Sequence, residues 1–313
     1  MASLSKRLPT NVDGDVYVDD TCIDCDTCRW VAPATFDSGG DQSRVHRQPA
    51  SPEEERRALM ALVACPTASI GTVARHDLEP ILAAFPDLLA RDPPEAADAG
   101  DRAPATAAPG AAPAAVYHCG FHAESSFGAA SYLIVRPGGN VLVDSPRFAA
   151  PLVKRLEELG GVATLFLTHQ DDVADHAKFA AHFGCTRVLH RADVHADTAG
   201  VERPIDGIEP VALADDLLVL PTPGHTAGSA CLLFRERFLF TGDHLAWSER
   251  LAHVYGFRDA CWHDWDTLVE STRRLATRRF EWILPGHGRR CHFPAAEMAE
   301  QMRTCLAWME RKR

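Results

Sequence analysis

The stretch THQDDVADH at residues 168–176 concentrates histidines and aspartates directly after a short apolar run, ATLFL. Three similar motifs follow, each after its own apolar run: PGH ending at His225, TGDH at residues 241–244, and LPGHG around His287. Short apolar runs bounded by Gly and Pro indicate buried strands. Loops at strand ends can aim several side chains at one point. The four motifs therefore predict a metal site at the ends of buried strands.

From near Tyr117 to the C-terminus the chain resembles the metallo-β-lactamase superfamily, whose signature His-x-His-x-Asp-His precedes a single His, a single Asp and a final His. The resemblance implies a four-layered αββα sandwich with a two-metal site. Carried over residue by residue, it implies the ligand set His169, Asp171, Asp175, His176, His225, Asp243 and His287. His169, Asp171 and His225 would bind the first metal, while Asp175, His176 and His287 would bind the second, with Asp243 between them.

The resemblance also covers the segment SYLIVRPGGNVLVDSPR at residues 131–147, which is similar to the opening hairpin of that fold. It implies that Asp144 orients a ligand histidine through a hydrogen bond.

The first motif departs from the signature in two ways. Asp171 stands where hydrolytic members have histidine, and two extra residues precede Asp175 and His176. Flavodiiron proteins, which are redox members of the superfamily, carry Glu in that position. Because carboxylate oxygens are harder ligands than imidazole, the set suits iron or manganese at least as well as zinc. Three arrangements remain open: Asp171 is the ligand, Asp172 replaces it, or the longer loop withdraws both.

A second metal-binding pattern lies near the N-terminus. Cys22, Cys25 and Cys28 stand at intervals of three, and Cys65 precedes a proline further on. Such a triplet with a distant Cys-Pro is typical of iron–sulfur clusters. Residues 12–74 resemble the single-cluster ferredoxins, which implies a 4Fe-4S cluster on these four cysteines. A zinc knuckle is the alternative. The other cysteines are expected to be small buried apolar residues: Cys119, Cys185, Cys231, Cys261, Cys291 and Cys305.

These patterns divide the 313 residues into three parts. Residues 1–76 form a ferredoxin domain, residues 77–115 a short helix and an Ala/Pro-rich linker, and residues 116–313 the metallo-β-lactamase-fold domain, giving an α+β protein. We expect a cytoplasmic location, because the sequence shows no membrane span and no signal peptide. A net charge of −11 argues against a nucleic-acid partner.

Some residues outside the ligand set are candidates for the pocket. Arg147, Arg289 and Arg290 either meet an anionic group of a substrate or are solvated or ion-paired. His118 and His122 either line the metal cleft or belong to a surface loop. His244, next to Asp243, is a candidate proton donor, although neighbours in an extended segment point in opposite directions.

Function follows from combining the two patterns. Hydrolysis moves no electrons, whereas delivery of electrons to a diiron site gives an attached cluster a role. The sequence therefore favours a redox enzyme that activates dioxygen, or reduces dioxygen or nitric oxide, with a separate reductase as donor and a small-molecule substrate. The alternative is a hydrolase of an ester, thioester or lactone, in which Asp175 orients a hydroxide, Asp243 bridges the metals and the ferredoxin is a redox gate or scaffold. A third reading is a redox-responsive binding protein without catalysis.

Overall fold

The computed structural model describes residues 2–92 and 113–312. In these ranges no helix is long and apolar enough to cross a membrane. The helices are α1 (Thr27–Val31), α2 (Pro52–Ala64), α3 (Glu79–Ala83), α4 (Ala150–Glu158), α5 (His176–Phe183), α6 (Trp265–Leu275) and α7 (Ala295–Glu310).

The N-terminal module is built from helices α1 and α2 and two antiparallel strand pairs. The strands are β1 (Val16–Val18) with β4 (Ile70–Thr72), and β2 (Phe36–Ser38) with β3 (Ser43–Val45). Helix α2 begins where its sequence predicts, because the Ser51 hydroxyl accepts a hydrogen bond from the Glu54 backbone N–H and Pro52 occupies the first turn. Its apolar face, including Met60, is buried against the small core of the module.

The rest of the chain forms two sheets. The first contains β5 (Asp87–Asp92), β6 (Ala114–His118), β7 (Tyr132–Val135), β8 (Val141–Val143), β9 (Thr164–Phe166), β10 (Thr186–His190) and β11 (Arg203–Ile205), in reverse chain order across the sheet. The second contains β12 (Val211–Ala214), β13 (Leu217–Pro221), β14 (Ala230–Phe234), β15 (Phe238–Gly242), β18 (Trp282–Pro285) and β19 (Cys291–His292). A short ribbon, β16 (Ala246–Ser248) with β17 (His253–Tyr255), lies in sequence between β15 and β18 of the second sheet.

The two sheets are the inner layers of an αββα sandwich. One buried apolar cluster fills the space between them, with Phe166 from the first sheet and Phe240 from the second. A second cluster packs α6 and α7 on the outer face of the second sheet, and α4 and α5 cover the first. The predicted α+β class, with a ferredoxin-type module before a four-layered sandwich, is confirmed.

The region that we expected to be helix and linker is partly sheet. Residues 79–83 form the short helix α3, but residues 87–92 form β5, which pairs antiparallel with β6 at the edge of the first sheet. Ion pairs anchor the end of β5, because the Asp92 carboxylate pairs with Arg235 and Arg237 in the turn between β14 and β15 of the second sheet. The remaining part of the predicted linker, residues 93–112, lies outside the described residues.

The N-terminal module packs directly on the sandwich. A single cluster of buried apolar side chains runs from Phe36 and Met60 of the module to Leu152 of α4 and Phe179 of α5. This shared core extends to Phe85, which is fully buried beside α3. The two parts of the chain therefore form one packed body.

The candidate pocket residues Arg147, Arg290, His118 and His122 lie in this contact between the module and the sandwich. Arg147 donates to the Val63 carbonyl of α2, and the Arg290 guanidinium lies 5.1 Å from the centre of the Trp30 ring. The Nε2 atoms of His118 and His122 are 2.9 Å apart, and both rings are buried. We expected His118 and His122 to line the metal cleft or to belong to a surface loop. The structure instead buries both side chains where the module meets the sandwich.

Candidate metal centres

The four cysteines of the N-terminal pattern face one enclosed cavity in the module. Cys22, Cys25, Cys28 and Cys65 all line it, and none of them forms a disulfide. Burial raises the pKa of the Cys25 thiol to about 11. Buried thiolates need a compensating cation, and the iron of a cluster supplies one. The donor set therefore fits the cluster that the sequence predicts.

The loop that carries three of these cysteines is curled by its own aspartates. Asp24 and Asp26 adopt left-handed backbone conformations, with φ of 60° and 67°. Both carboxylates pair with the Arg29 guanidinium, and the Arg29–Asp24 distance is 3.0 Å. Arg29 is only 13% exposed, so this clamp holds the loop from the inner side.

The first histidine of the second site, His169, follows β9 and is oriented by its neighbours. The Thr168 hydroxyl lies 2.9 Å from His169 Nδ1, and the same hydroxyl donates to both oxygens of Asp144 at 3.0 Å. Asp144 thus acts on the ligand histidine through Thr168 rather than directly. With Nδ1 as the donor to Thr168, Nε2 of His169 is left as the free metal-binding atom.

His225 is arranged in the same way after β13. Its Nδ1 donates to the Ala260 backbone carbonyl, which leaves Nε2 free. The Nε2 atom lies 3.4 Å from Asp171 and 3.8 Å from Asp243. Ligand atoms about 2.1 Å from a tetrahedral metal are about 3.4 Å apart, so these spacings suit one ion. His169, Asp171 and His225 therefore form a group that could hold a metal ion.

A second group combines His169, Asp172 and Asp243. Asp172 is 1% exposed, and burial raises its pKa well above the usual value. Gly286 leaves space for it, because a Cβ at that position would stand 2.6 Å from Asp172 Oδ2. A buried carboxylate without a counter-charge is costly. Asp172 is therefore a candidate metal ligand.

His287 closes this part of the site after β18. Its Nδ1 lies 2.8 and 2.9 Å from the two oxygens of Asp243, and its Nε2 lies 3.3 Å from the Phe127 carbonyl. Burial alone would raise the pKa of Asp243, but His287 beside it holds that pKa well below its usual value. Asp243 belongs to the second group, and its Oδ2 also lies 3.8 Å from the Nε2 atoms of both His169 and His225.

Three buried atoms provide the test of whether these residues fit a metal. His169 Nε2, His225 Nε2 and Asp172 Oδ2 have no hydrogen-bond partner among the described residues. Orphaned buried polar atoms are rare in folded proteins and call for a bound ion or water. Because these atoms belong to two groups that share His169, the residues fit a bound metal ion.

Asp175 and His176 are not brought to this site, and the expected ligand set changes accordingly. Asp175 precedes α5, pairs with Lys178 at 2.7 Å and accepts a hydrogen bond from the Phe148 N–H. His176 lies in the first turn of α5, with Arg187 and the Asp197 carbonyl as partners. The two extra residues are the cause, because they move the Asp-His pair into the helix. Asp172 takes the position that Asp175 was expected to fill.

Two further expectations concern histidine and arginine neighbours of the site. His244 is buried and follows β15 in a turn, where its Nε2 lies 3.0 Å from the Thr272 hydroxyl of α6 rather than in the metal-binding groups. Arg289 pairs with Glu249 and contacts the Arg29 carbonyl rather than the metal site.

Asp193 is a site-organising residue that the sequence reasoning missed. Its carboxylate accepts hydrogen bonds from the Gln170 N–H, the Thr226 hydroxyl and the Gly228 N–H. It therefore ties the loop after His169 to the loop after His225. A signal was present, because Asp193 follows the strand β10 and stands between His190 and His195, but this segment matches none of the four motifs.

The metal groups open into a cavity of about 660 Å³ that the N-terminal module helps to form. On the sandwich side its lining comprises Ser125, Ser126, Phe127, Asp171, Asp172, His225, Asp243, Tyr255, Phe257, Ala260, Trp262, His287 and Gly288. On the module side the lining is Asp24, Cys25 and Asp26, from the cluster loop. One cavity thus contacts both metal centres.

A short backbone segment joins the two centres along the wall of this cavity. The Phe127 carbonyl is the partner of His287 Nε2, and the next residue, Gly128, packs against Cys25. A Cβ on Gly128 would stand 2.8 Å from Cys25 Cβ and 2.9 Å from its sulfur. The residue must be glycine, both for this contact and for its φ of +83°. The two-residue segment Phe127–Gly128 therefore lies between Cys25 of the cluster loop and His287.

Comparison with known proteins finds matches for two parts of the chain. Residues 18–72 match the family described as the 4Fe-4S single cluster domain of Ferredoxin I. Hydroxyacylglutathione hydrolase from Citrobacter koseri is 31% identical over 111 residues, which cover 34% of this chain and 43% of that protein. This chain thus matches less than half the length of that relative.

Two solved structures similar to the chain show the range of its structural neighbours. A metallo-β-lactamase from Staphylococcus aureus is 17% identical, with a TM-score of 0.48, covering 63% of this chain and 65% of its own. The chemotaxis sensor ODP, described with a peroxy diiron species, is 19% identical, with a TM-score of 0.46, covering 63% and 90%. This chain therefore carries a ferredoxin-type 4Fe-4S domain at its N-terminus, and metallo-β-lactamase superfamily proteins are among its structural neighbours.

Proposed function

We propose that this protein is an oxidoreductase in which a 4Fe-4S cluster on Cys22, Cys25, Cys28 and Cys65 serves a two-metal site. The two-metal site is formed by His169, Asp171, Asp172, His225, Asp243 and His287. When bound, the cluster supplies one-electron transfer and the metal pair supplies a place for dioxygen or nitric oxide to react. The residues of the chain position the two centres and hold the protons around them.

The observation that carries this proposal is the shared cavity. Cys25 lines the same 660 Å³ space as Asp172 and His287, and the Phe127–Gly128 backbone connects the two sides. A ferredoxin module that served only as a scaffold would have no reason to present a cluster cysteine at the reaction cavity. The direct contact supports a role for the cluster in the chemistry.

The donor set supports iron as the metal. Three carboxylates, Asp171, Asp172 and Asp243, accompany the histidines, and such a mixture of oxygen and imidazole ligands suits iron or manganese. Tyr255 stands nearby as a neutral phenol, because burial raises its pKa to about 12. The Thr168–Asp144 pair holds His169 in one tautomer, which keeps its Nε2 directed to the metal.

A hydrolase is the second candidate function, and the similarity to hydroxyacylglutathione hydrolase favours it. In that case the metals would activate a water for attack on an ester or thioester. The position of Asp175 weakens the particular mechanism expected from the sequence, because the Asp175 carboxylate pairs with Lys178 and accepts a hydrogen bond from the Phe148 N–H. In a hydrolase, Asp172 rather than Asp175 would then orient the hydroxide.

Metal analysis of protein produced without oxygen is the first part of the test. The redox proposal expects about two irons per chain beyond the iron of the cluster, which is counted separately through its sulfide. The hydrolase alternative expects about two zincs instead. Zinc without inorganic sulfide at the four cysteines would contradict the electron-transfer proposal.

The second part measures whether the cluster matters for turnover. Chemically reduced wild-type protein should consume dioxygen or nitric oxide at least tenfold faster than Cys25→Ser with its two-metal site intact. Cys185→Ser, which changes a buried cysteine away from both centres, is the matched control and should behave as wild type. If Cys25→Ser keeps full activity on ester or thioester substrates and the wild type consumes neither gas, the protein is a hydrolase.

The cellular setting follows from this proposal. An oxygen-sensitive cluster suits the cytoplasm, and the cluster requires a separate reductase as its electron donor. Both are part of the proposal and are tested by locating the protein in fractionated cells and by isolating the reductase that reduces it.

A further inference from the structure

The apolar wall of the cavity between the two centres is built mainly from aromatic side chains. Phe127, Tyr255, Phe257 and Trp262 supply the apolar surface, and among the described residues that line the cavity none is a lysine or an arginine. Its volume of about 660 Å³ falls in the range of sites for drug-sized molecules. A water molecule occupies only about 30 Å³ in the liquid, and a diatomic gas is of similar size.

The aromatic side chains stand on both sides of the metal site. The Trp262 ring centre lies 6.2 Å from that of His225, and the Phe127 ring centre lies 6.1 Å from that of His287. Tyr255 and Phe257 pack on each other, with ring centres 4.9 Å apart. A flat apolar group placed between these aromatic side chains would lie next to His225 and His287.

The charges of the lining act against an anionic substrate. Apart from the metal-site residues, the acidic side chains that line the cavity are Asp24 and Asp26, and both share the single guanidinium of Arg29. The wall formed by the cluster loop therefore presents two carboxylates and no lysine or arginine to the cavity. An anionic group on the body of a ligand would lose its hydration at this wall and meet no basic side chain there.

From these observations we propose that the cavity binds an organic molecule with an aromatic or similarly flat apolar ring and no anionic group. This inference rests on the proposed function and names the class of its co-substrate. A positive charge on the molecule is favourable, because Asp24, Asp26 and the aromatic faces attract cations. The glutathione thioesters, with their carboxylates, do not fit this class.

The test compares three probes that share one ring and differ in charge: benzyltrimethylammonium, benzyl alcohol and benzenesulfonate. Neither the quaternary ammonium nor the sulfonate is a strong metal ligand, so the comparison reports on the walls of the cavity. Calorimetric titration of the fully loaded protein should show the cation and the alcohol binding at least tenfold more tightly than the sulfonate. Equal or tighter binding of the sulfonate would overturn the proposal.

A variant pair shows where the probes bind. Trp262 is 66% exposed, so Trp262→Ala should leave the fold intact, and it should weaken binding of the cation at least fivefold. Ile208, which is 58% exposed and lies outside this cavity, provides the control Ile208→Ala, which should bind as wild type. Unchanged binding to Trp262→Ala would also overturn the proposal. Because binding is measured without turnover, this outcome is separate from the gas-consumption test of the redox function.

Discussion

Replacing Gly128 by alanine tests whether the N-terminal module is seated on the sandwich through the cluster loop. The new Cβ would stand 2.8 Å from Cys25 Cβ, closer than real Cβ atoms approach, so the loop must shift. Overpacking of this kind costs about 1–3 kcal/mol. The left-handed conformation, with φ of +83°, adds about 1–2 kcal/mol for any residue with a Cβ.

Gly207 is the matched control because it separates these two effects. Its φ is +79°, but a Cβ there would meet nothing within 4 Å. Gly207→Ala should therefore lower the free energy of unfolding by about 1–2 kcal/mol, the conformational cost alone. Gly128→Ala should lower it by about 2–5 kcal/mol, with the excess arising from the contact with Cys25.

The assay is anaerobic urea unfolding of the cluster-loaded protein, followed by tryptophan fluorescence. A second measurement, the electron paramagnetic resonance spectrum of the reduced cluster, should change in Gly128→Ala and not in Gly207→Ala. If the two variants lose the same stability within about 0.5 kcal/mol and give the same spectrum, the close contact between Gly128 and Cys25 does not exist in solution.

Three further predictions follow from the site and its surroundings. Asp172→Ala should lose at least half of the non-cluster metal while Asp175→Ala retains it, since only Asp172 is in a metal-binding group; elemental analysis showing the reverse would restore the ligand set expected from the sequence. Arg29→Gln should speed release of iron to a chelator several-fold, because Asp24 and Asp26 lose their common partner. An unchanged rate would show that the Arg29 ion pairs do not stabilise the cluster loop. Glu202, whose pKa is lowered to about 2 by its hydrogen bonds from Arg187, should stabilise the fold fully above about pH 5 and progressively less as the pH falls towards 2. The difference in melting temperature between wild type and Glu202→Gln should therefore shrink below pH 5, and a constant difference would contradict the pairing.

The sequence was most informative where strands end. His169, His225, Asp243 and His287 all follow strands that short apolar runs predict, and these positions depend only on local pattern and on the alternation of buried strands. The four cysteines were equally visible, because a cluster loop needs its ligands at fixed short intervals.

The sequence was less informative where an insertion changes a loop. Two extra residues after His169 could be absorbed by the loop or by the start of α5, and only the packing of that helix decides between them. In the structure His176 starts α5 and Asp172 is drawn into the site. The edge strand β5 was missed for a related reason, because its pairing depends on Arg235 and Arg237, more than 140 residues away.

The contact between the two parts of the chain was also beyond sequence reasoning. His118, His122 and Arg290 carry no motif, and their burial follows only from the surface of the module that covers them. A polar residue in an unassigned loop looks the same whether it faces water or a neighbouring domain.

The apolar core that runs from Phe36 of the module to Phe179 of α5 has a consequence for the kinetics of the protein. A carrier on a loose tether must find its partner by diffusion, with a local concentration set by the tether and an encounter rate that salt can change. Here the carrier is held in place by buried side chains, so the encounter step is absent. If the protein has the proposed redox function, electron passage within one molecule should be first order and insensitive to ionic strength, and only the approach of the proposed reductase to this acidic protein should respond to salt.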